Sequence, residues 1–318
     1  MSVLVYTESD QGNFKKAALE AASYGKAVAD AMSTTLTALT FKANDASSLG
    51  DYGVDKVLNI DSVNDFNARV YADAIKKAAE KENSTVVILS ASADSKYIAP
   101  LLAVGLNAGY VPNVVAAPSS LNPFTVKRTA FSNKAFCNTE ISTPVKIVGV
   151  SNNSFGLVEK TAAALAEAFA PDLATSKTSV ISVDKANNKV TIADAEVVVS
   201  AGRGLKGPEN WKMIEELADV LGAATACSKP VSDLGWRSHS EHVGQTGKPV
   251  AANLYIAIGI SGAIQHLAGI NASKVKVVIN SDPDAPFFKA ADYGIVGDAF
   301  EVVPELIEKL KEFKTKNR

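Results

Sequence analysis

The sequence predicts an α/β fold of two domains, each with a mainly parallel sheet flanked by helices. Apolar, β-rich runs alternate with segments at helical spacing up to about residue 107, and the alternation resumes after residue 195. The chain has 318 residues, a length that favours two domains over one. In the second half, the apolar runs end on a glycine, a hydroxyl residue or an amide.

The elements of the first domain follow from apolar spacing. The predicted strands are 3–7, 35–41, 56–60 and 85–89, and the predicted helices are 13–32, 64–81 and 94–107, with Gly109 as a stop just beyond the last. Further strands or hairpins are expected at 124–127, 134–139 and 144–150, and a helix at 158–170. A polar stretch at 171–196, with a turn signal at 184–188, places the boundary between 185 and 195. The domains are therefore predicted as 1–190 and 191–318.

The second domain is predicted to resemble the Rossmann and flavodoxin folds. Its predicted strands are 197–200, 223–227, 255–260, 275–279 and 294–296. A helix begins near Pro208 and ends at Gly222, and a surface helix covers 305–314, before a basic tail at 314–318 that we expect to fray. Ligands bind at the carboxyl ends of parallel strands. Several polar strand ends at one edge indicate a long ligand that carries a polyphosphate.

Composition excludes several classes of function. The net charge is −2, from 32 basic and 34 acidic residues, which does not favour a nucleic-acid or membrane surface. We expect no membrane insertion, because no apolar run reaches about 18 residues. Cys137 and Cys227 lie far apart, which argues against a disulfide scaffold and favours a reducing compartment. Without a Cys-x-x-Cys motif or a targeting segment, the expectations are a cytoplasmic protein and no metal.

One glycine motif follows a predicted strand and precedes a predicted helix. Gly202-x-Gly204-x-x-Gly207 fits a dinucleotide fingerprint, in which backbone N–H groups approach a pyrophosphate and Arg203 clamps it. The alternative is a tight turn with an exposed arginine. A nicotinamide site also needs an acid about 20 residues later. This chain has Ser228-Lys229 there, which weakens the nicotinamide interpretation.

Three other stretches have a chemical and a plain interpretation. Ser261 is predicted to cap a helix whose free N–H groups could hold an anion, with His266 about one turn along it or merely a satisfied polar group. The same stretch is similar to a hydrolase elbow but lacks its second glycine. Residues 243–248 look like a phosphate loop without the Walker spacing, so a flexible polar loop is the alternative. His239 and His242 could share a metal only if helical, and no third ligand is convincing.

Together these stretches resemble the α subunit of electron transfer flavoprotein. The matching stretches are 200–206, 243–248, 254–269, 279–286 and 291–296. Their order and spacing agree over about 196–304, whereas residues 1–190 fit the family's N-terminal domain in pattern and length. The resemblance implies one FAD, and a heterodimer whose β subunit contacts the N-terminal domain.

The resemblance also implies a role. The chain would be an electron carrier without catalytic residues, taking electrons from flavoprotein dehydrogenases such as the acyl-CoA dehydrogenases of fatty acid β-oxidation. It would pass them to a membrane quinone oxidoreductase. The alternatives are an NADH-linked electron-bifurcating flavoprotein, a nicotinamide-dependent oxidoreductase, and a nucleotide-binding sensor.

The resemblance assigns FAD contacts by position. Arg203, Ser228 and the start of the helix at 261–266 would hold the pyrophosphate and ribityl region, and residues 243–246 would border the isoalloxazine, with Thr246 near N5. His266 would lie near O2, and Lys229 replaces the family's usual arginine, so the charge is kept while the planar guanidinium is not. The full predicted set is Arg203, Ser228, Lys229, Val243, Gly244, Gln245, Thr246, Ser261, Gly262, Ala263, Ile264, Gln265, His266, Asn280, Asp298 and Ala299, of which Asn280 and Asp298 would face the AMP half.

Overall fold

The computed structural model describes residues 2–131, 133–183 and 191–316. The chain divides into two compact units. The first consists of Met1–Ala130 and Ala135–Lys185, and the second of Phe131–Lys134 and Ala186–Arg318. The predicted turn at 184–188 lies outside the described residues.

The first unit is built on a large, mainly parallel sheet. Its strands, together with a two-stranded ribbon formed by β2 and β3, are β1 Ser2–Tyr6, β2 Ser9–Asp10, β3 Asn13–Phe14, β4 Leu36–Phe41, β5 Lys56–Ile60, β6 Ser84–Ser90, β7 Gly109–Val114, β8 Ser120–Leu121, β9 Phe124–Ala130, β10 Ala135–Ile141, β11 Lys146–Val150 and β12 Leu165–Ala168. The order across the large sheet is β10-β9-β7-β11-β6-β1-β4-β5-β12. The strands from β7 to β12 in this order are parallel, and β8, β9 and β10 add an antiparallel flank.

Three helices cover the two faces of this sheet. They are α1 Lys16–Ala31, α2 Ala68–Lys81 and α3 Ala93–Leu106. The buried side chains of α1 pack into one hydrophobic core with alternate residues of β1 and β4, and those of α2 and α3 pack into a second core with the intervening residues. Alternation along the strands therefore sends successive side chains to opposite layers.

The second unit contains six parallel strands in the order β15-β14-β13-β16-β17-β18. They are β13 Val197–Ala201, β14 Ala224–Ser228, β15 His242–Val243, β16 Leu254–Ile258, β17 Val275–Asn280 and β18 Tyr293–Val296. The helices are α4 Lys212–Leu221, α5 Lys229–Asp233, α6 Ile264–Ile270 and α7 Ala299–Lys316. This is the strand order of a Rossmann-type sheet, so the predicted fold class is confirmed.

The predicted helix at 158–170 is wrong. This stretch runs along the edge of the sheet, where residues Leu165–Ala168 form β12, parallel to β5. Before β12 begins, the backbone N–H groups of Lys160 and Ala162 donate to the carbonyls of Asp51 and Gly50. Pairing with an available sheet edge satisfies the backbone and overrides the local helical pattern.

Three local predictions at helix ends also need correction. The helix α3 ends on Asn107, whose φ of 49° is left-handed, whereas Gly109 already begins β7. The helix after β16 begins at Ile264, not at Ser261, and its N-cap residue Ala263 has no capping side chain. The C-terminal helix α7 includes residues 314–316 of the predicted frayed tail, and residues 317–318 lie outside the described part of the chain.

A buried carboxylate joins three elements of the first unit. Glu8, which is 3% exposed, follows β1 and accepts hydrogen bonds from the hydroxyls of Ser90, Ser92 and Ser95. Lys15 forms an ion pair with the other carboxylate oxygen at 3.2 Å. Ser92 is the N-cap of α3, so the negative charge of Glu8 also lies at the positive end of that helix dipole.

We predict that Glu8→Ala lowers the free energy of unfolding by about 3 kcal/mol, because buried hydroxyl groups and a cation lose their shared acceptor. Urea denaturation monitored by circular dichroism measures the change. The control is Glu159→Ala, since Glu159 is exposed, and it should change the stability by less than about 0.5 kcal/mol. Equal stability of the two variants would contradict a structural role for Glu8.

Candidate functional site

Each of the two parallel sheets has a point where the strand order reverses beside its first strand, and ligands bind at such points in open α/β sheets. In the first unit this point lies between β1 and β6, and in the second between β13 and β16. Glu8 lies at the end of β1 and bonds to Ser90 at the end of β6, so an internal carboxylate fills the first point. A second anion would be repelled there. The second unit therefore offers the better site for an anionic ligand.

At the reversal point of the second unit, the loop after β13 packs directly on the loop after β16. A Cβ atom on Gly202 would lie 2.2 Å from the carbonyl oxygen of Gly259, and one on Gly204 would lie 2.6 Å from its Cα. Only glycine permits this approach of backbone to backbone. The contact is sealed by hydrogen bonds from Gly202 N to the carbonyl of Ile258 (2.9 Å) and from Gly204 N to that of Gly259 (3.2 Å).

This packing corrects one interpretation of the glycine motif. The N–H groups of Gly202 and Gly204 already donate within the chain, and that of Gly207 donates to Leu205 at 2.8 Å. These three donors are therefore not available to cradle a pyrophosphate. The motif holds two loops together, and Arg203, in the short 3₁₀ helix Arg203–Leu205, is exposed.

The loop after β13 also reaches the loop after β18. The Lys206 ammonium lies 3.8 Å from Asp298 and 4.9 Å from the centre of the Phe300 ring. Asp298 in turn caps α7, because its carboxylate accepts the N–H of Phe300 at 2.9 Å. Asp298 thus stands at the same edge as Arg203, with a clear structural role of its own.

The turn after β15 is fastened to α6 and is not a loose loop. Gln245 N donates to the carbonyl of Gln265 at 2.7 Å, and a Cβ atom on Gly269 would lie 2.6 Å from the backbone nitrogen of Gly244. Val243 and Gly244 are buried, whereas the side chains of Gln245 and Thr246 are exposed. The turn therefore presents an amide and a hydroxyl from a fixed backbone.

The segment after β16 is mostly open to solvent. Ser261, Ala263, Ile264 and Gln265 are exposed, and Gly262 is buried. Asn280 at the end of β17 braces the segment, since its amide nitrogen donates to the carbonyl of Ile260 at 3.1 Å. The predicted residues 261–265 form one exposed strip beside the turn at 243–247.

His266, directly after this strip, is buried, with 6% of its surface exposed. Its Nε2 shares a hydrogen bond with the Tyr255 hydroxyl at 2.9 Å, and its Nδ1 is buried without a hydrogen-bond partner. Burial, helped by the nearby His242, lowers the pKa of His266 to about 4, although the Val243 backbone acts in the opposite direction. At neutral pH His266 is therefore an uncharged imidazole and not a cation.

The end of β14 supplies two further predicted residues, Ser228 and Lys229. Ser228 is the last residue of β14 and the N-cap of α5, where it is 7% exposed. Lys229 is exposed and pairs with Asp233 at 3.1 Å. No carboxylate ends β14, so the acid that would bind the ribose of a nicotinamide cofactor is missing from its usual place.

The structure thus gathers the predicted residues along one sheet edge. Arg203, Ser228 with Lys229, residues 243–246, residues 261–266, Asn280, and Asp298 with Ala299 all lie at or just beyond the carboxyl ends of β13 to β18. We call this edge, from the turn after β15 to the loop after β18, the carboxyl edge. It combines exposed cations, a hydroxyl and amides, a donor set that suits an elongated anion.

The predicted set of FAD contacts leaves out two residues at this edge. Lys206, whose φ of 67° is left-handed, links the loops after β13 and β18. His242 is buried beside the turn at 243–247. The sequence carries a weak signal for His242, because all three histidines of the chain fall within 239–266.

Two findings concern other kinds of site. Over residues 2–131, 133–183 and 191–316, no group of three or more His, Cys, Asp or Glu side chains is placed to hold a metal ion. None of the helices in the described part of the chain combines the length and the apolar character needed to cross a membrane.

Comparisons with known proteins agree over both units. Residues 3–185 match the family model described as "Electron transfer flavoprotein domain", and residues 191–271 match "Electron transfer flavoprotein FAD-binding domain". The electron transfer flavoprotein subunit alpha of Bacillus subtilis (strain 168) is 38% identical over 272 residues, 84% of each chain. That of Thermoanaerobacterium thermosaccharolyticum is 34% identical and 98% of each chain is covered.

Among solved structures, a putative UDP-N-acetylglucosamine 2-epimerase from Listeria monocytogenes matches at 12% identity. The match covers 98% of this chain and 88% of the other, with a TM-score of 0.36. A TM-score this low supports no argument about fold or function.

We predict that Gly204→Ala separates the loops after β13 and β16 and lowers the free energy of unfolding by about 2 kcal/mol, because the new methyl group meets backbone and not a movable side chain. Thermal unfolding measures the loss. Gly105→Ala is the matched control, since a Cβ atom there has no neighbour nearer than 3.5 Å. That helical substitution should leave stability unchanged or raise it by up to about 1 kcal/mol.

We predict that His266 makes stability depend on acid pH. Its folded pKa of about 4 lies below the ordinary value of 6.5, so the unfolded chain binds the proton more tightly. The stabilisation is complete above about pH 6.5 and is lost as the pH falls toward 4. Between pH 7 and 4, the unmodified chain should lose up to about 3 kcal/mol more than His266→Gln in urea denaturation. Parallel losses in the two proteins would refute the assignment.

Proposed function

The chain belongs to the electron transfer flavoprotein family as an alpha subunit, and from this premise we propose that its carboxyl edge holds the FAD of a heterodimeric electron carrier. Its second unit carries the family's FAD-binding domain. The observation that supports this site most strongly is the gathering of the matched loops at one edge of a single sheet. We propose 1–190 as the domain that contacts the beta subunit and 191–318 as the FAD domain.

The side chains at the carboxyl edge fit such a cofactor. FAD is long and carries a negatively charged pyrophosphate, and Arg203 and Lys229 are exposed cations at the ends of neighbouring strands. His266 Nδ1 is buried and makes no close hydrogen bond, although the Val243 backbone favours its protonated form, so this nitrogen could donate to a ligand. The exposed Thr246 hydroxyl and Ser261 hydroxyl add donors on either side.

FAD supplies the redox chemistry, because it accepts and releases electrons singly or in pairs. The protein supplies position and charge. We propose that Arg203 and Ser228, with residues 261–265, hold the pyrophosphate and ribityl region, and that Asn280, Asp298 and Ala299 border the AMP half. Residues 243–246 are proposed to border the isoalloxazine. The hydrogen bond from Gln245 N to the carbonyl of Gln265 fixes the position of this turn relative to α6. The fixed backbone would keep Thr246 at a constant distance from the isoalloxazine ring.

Two groups are proposed to tune the electron affinity of the ring. The Lys229 ammonium brings a positive charge, but Asp233 pairs with it and offsets part of that charge. His266 is neutral, so it would act as a hydrogen-bond donor from Nδ1 while its Nε2 accepts from the Tyr255 hydroxyl. Donors directed at a site of growing negative charge stabilise the reduced cofactor.

The proposed electron donors are flavoprotein dehydrogenases, including the acyl-CoA dehydrogenases of fatty acid β-oxidation, and the proposed acceptor is a membrane quinone oxidoreductase. The proposed compartment is the cytoplasm, in keeping with free cysteines at Cys137 and Cys227. A nicotinamide-dependent role is not favoured. The end of β14 lacks the required acid, and the glycine N–H groups are already bonded within the chain.

The deciding experiment is to co-express the chain with a beta subunit and record the absorbance of the purified heterodimer. We expect a yellow protein with one FAD per heterodimer, released by acid and identified by its mass. A colourless heterodimer without FAD would contradict the proposal. Two flavins per heterodimer, with reduction by NADH, would replace the simple carrier with an electron-bifurcating flavoprotein.

Arg203→Ala provides a matched variant, because Arg203 is exposed and its loss leaves the fold intact. It should weaken FAD binding about tenfold or more, from the loss of a charged contact of about 1.5–3 kcal/mol. The control Lys309→Ala removes an exposed cation from α7 and should leave FAD affinity unchanged. Equal affinities in the two variants would remove Arg203 from the site.

A further inference from the structure

His242 is a buried imidazole at the carboxyl edge to which no role has been assigned so far. It is 7% exposed, pairs with Cys227 across β14 and β15, and directly precedes the turn at 243–247. Its Nε2 lies 3.4 Å from the position of a Cβ atom on Gly244, and its carbonyl accepts the N–H of Lys248 at 2.9 Å. The backbone of the turn thus folds around this imidazole.

The ring of His242 has no bonded partner to fix its protonation state. Within the described part of the chain, neither ring nitrogen makes a hydrogen bond. The other two histidines differ in this respect, because His239 bonds to Ser232 at 2.7 Å and His266 bonds to Tyr255 at 2.9 Å. The protonation state of His242 therefore depends on burial and on the surrounding charges, and not on a hydrogen bond.

Charged and titratable groups surround His242 on several elements. Burial, together with Lys229 on α5 and His239, lowers the pKa of His242, and Asp233 acts in the opposite direction. On α6, His266 also lies within electrostatic range. Glu241, the preceding residue, is already ion-paired with Arg237 at 2.9 Å. The balance favours a neutral imidazole when no further negative charge is present.

We propose that His242 takes up a proton when an electron enters the bound FAD, so that reduction of the cofactor is coupled to proton uptake at this residue. The inference rests on the proposed function, because it requires the isoalloxazine to lie against the turn at 243–246. His242 is then a positioning residue that does not touch the cofactor. Its positive charge acts on the cofactor electrostatically, across the backbone of the turn.

The proposed proton uptake follows from a change in the charge of the cofactor beside the buried imidazole of His242. An electron on the cofactor adds a negative charge, which favours the protonated imidazole and offsets the repulsion from Lys229. The step is balanced: the flavoprotein donor supplies one electron to the cofactor, solvent supplies one proton to an imidazole nitrogen of His242, and no covalent bond between heavy atoms changes. Reoxidation by the acceptor returns the proton to solvent. Proton exchange is possible because the ring nitrogens of His242, unlike His266 Nδ1, are not sealed from solvent.

The test uses the FAD-containing heterodimer reconstituted from this chain, labelled with [13C]histidine, and an unlabelled beta subunit. The chain has three histidines, so the His242 signal is assigned by its loss in His242→Gln, or by elimination with His239→Gln and His266→Gln. Titration of the oxidised complex and of the dithionite-reduced complex gives the pKa in each state. We expect the pKa of His242 to rise by about one unit on reduction, a tenfold gain in proton affinity.

His239→Gln is the matched control, since His239 is an exposed histidine three positions away. The potential of bound FAD should depend less steeply on pH in His242→Gln than in the unmodified complex, and His239→Gln should keep the original slope. A merely structural role for His242 would not change that slope.

The outcomes separate the two proposals. A complex that holds FAD while the pKa of His242 is the same in both redox states overturns this inference and leaves the proposed function standing. A complex without FAD overturns the proposed function and this inference with it.

Discussion

Close backbone approach at the reversal point of the second sheet is the constraint on which the carboxyl edge depends. Gly202 and Gly204 lie against Gly259 with no room for a Cβ atom on either, and two hydrogen bonds close the contact. This contact fixes the loop after β13 relative to the start of the segment that leads to α6. Arg203 and His266 therefore belong to one rigid edge, although 62 positions separate them in the sequence.

The two sheets share the same parallel architecture but differ in the charge of the side chains at their reversal points. At the first reversal point, Glu8 carries its own negative charge to the N-terminus of α3 and is satisfied by three serine hydroxyls and Lys15. At the second, exposed Arg203, Lys206 and Lys229 bring positive charge, which Asp298 and Asp233 offset in part, and burial lowers the pKa of the two imidazoles, His242 and His266. In such a fold, the strand ends at a reversal point can therefore bind an external anion only where no side chain of the protein already supplies a negative charge.

The neutral state of the imidazoles has consequences for the redox role. Cations placed beside a flavin would favour its reduced form at every pH, whereas the buried imidazole of His242 is proposed to respond to the charge of the cofactor. Lys229 is exposed and paired with Asp233, whereas burial lowers the pKa of His266 because it removes the water that would stabilise the imidazolium cation. Burial thus distinguishes His266 from the exposed Lys229, although the resemblance assigns both residues to the FAD site.

The sequence by itself determined the fold class, the family and the residues of the edge, because strand–helix alternation and the polar residues after each strand are local patterns. It misassigned 158–170 as a helix and Ser261 as a helix cap, and it left open whether the glycines of the 202–207 motif bind phosphate or form a tight turn. Only the tertiary structure decided these points. The local sequence pattern does not show whether an N–H group is free, a strand edge is available or an imidazole is hydrated. These properties depend on residues that are distant in the chain and close in space.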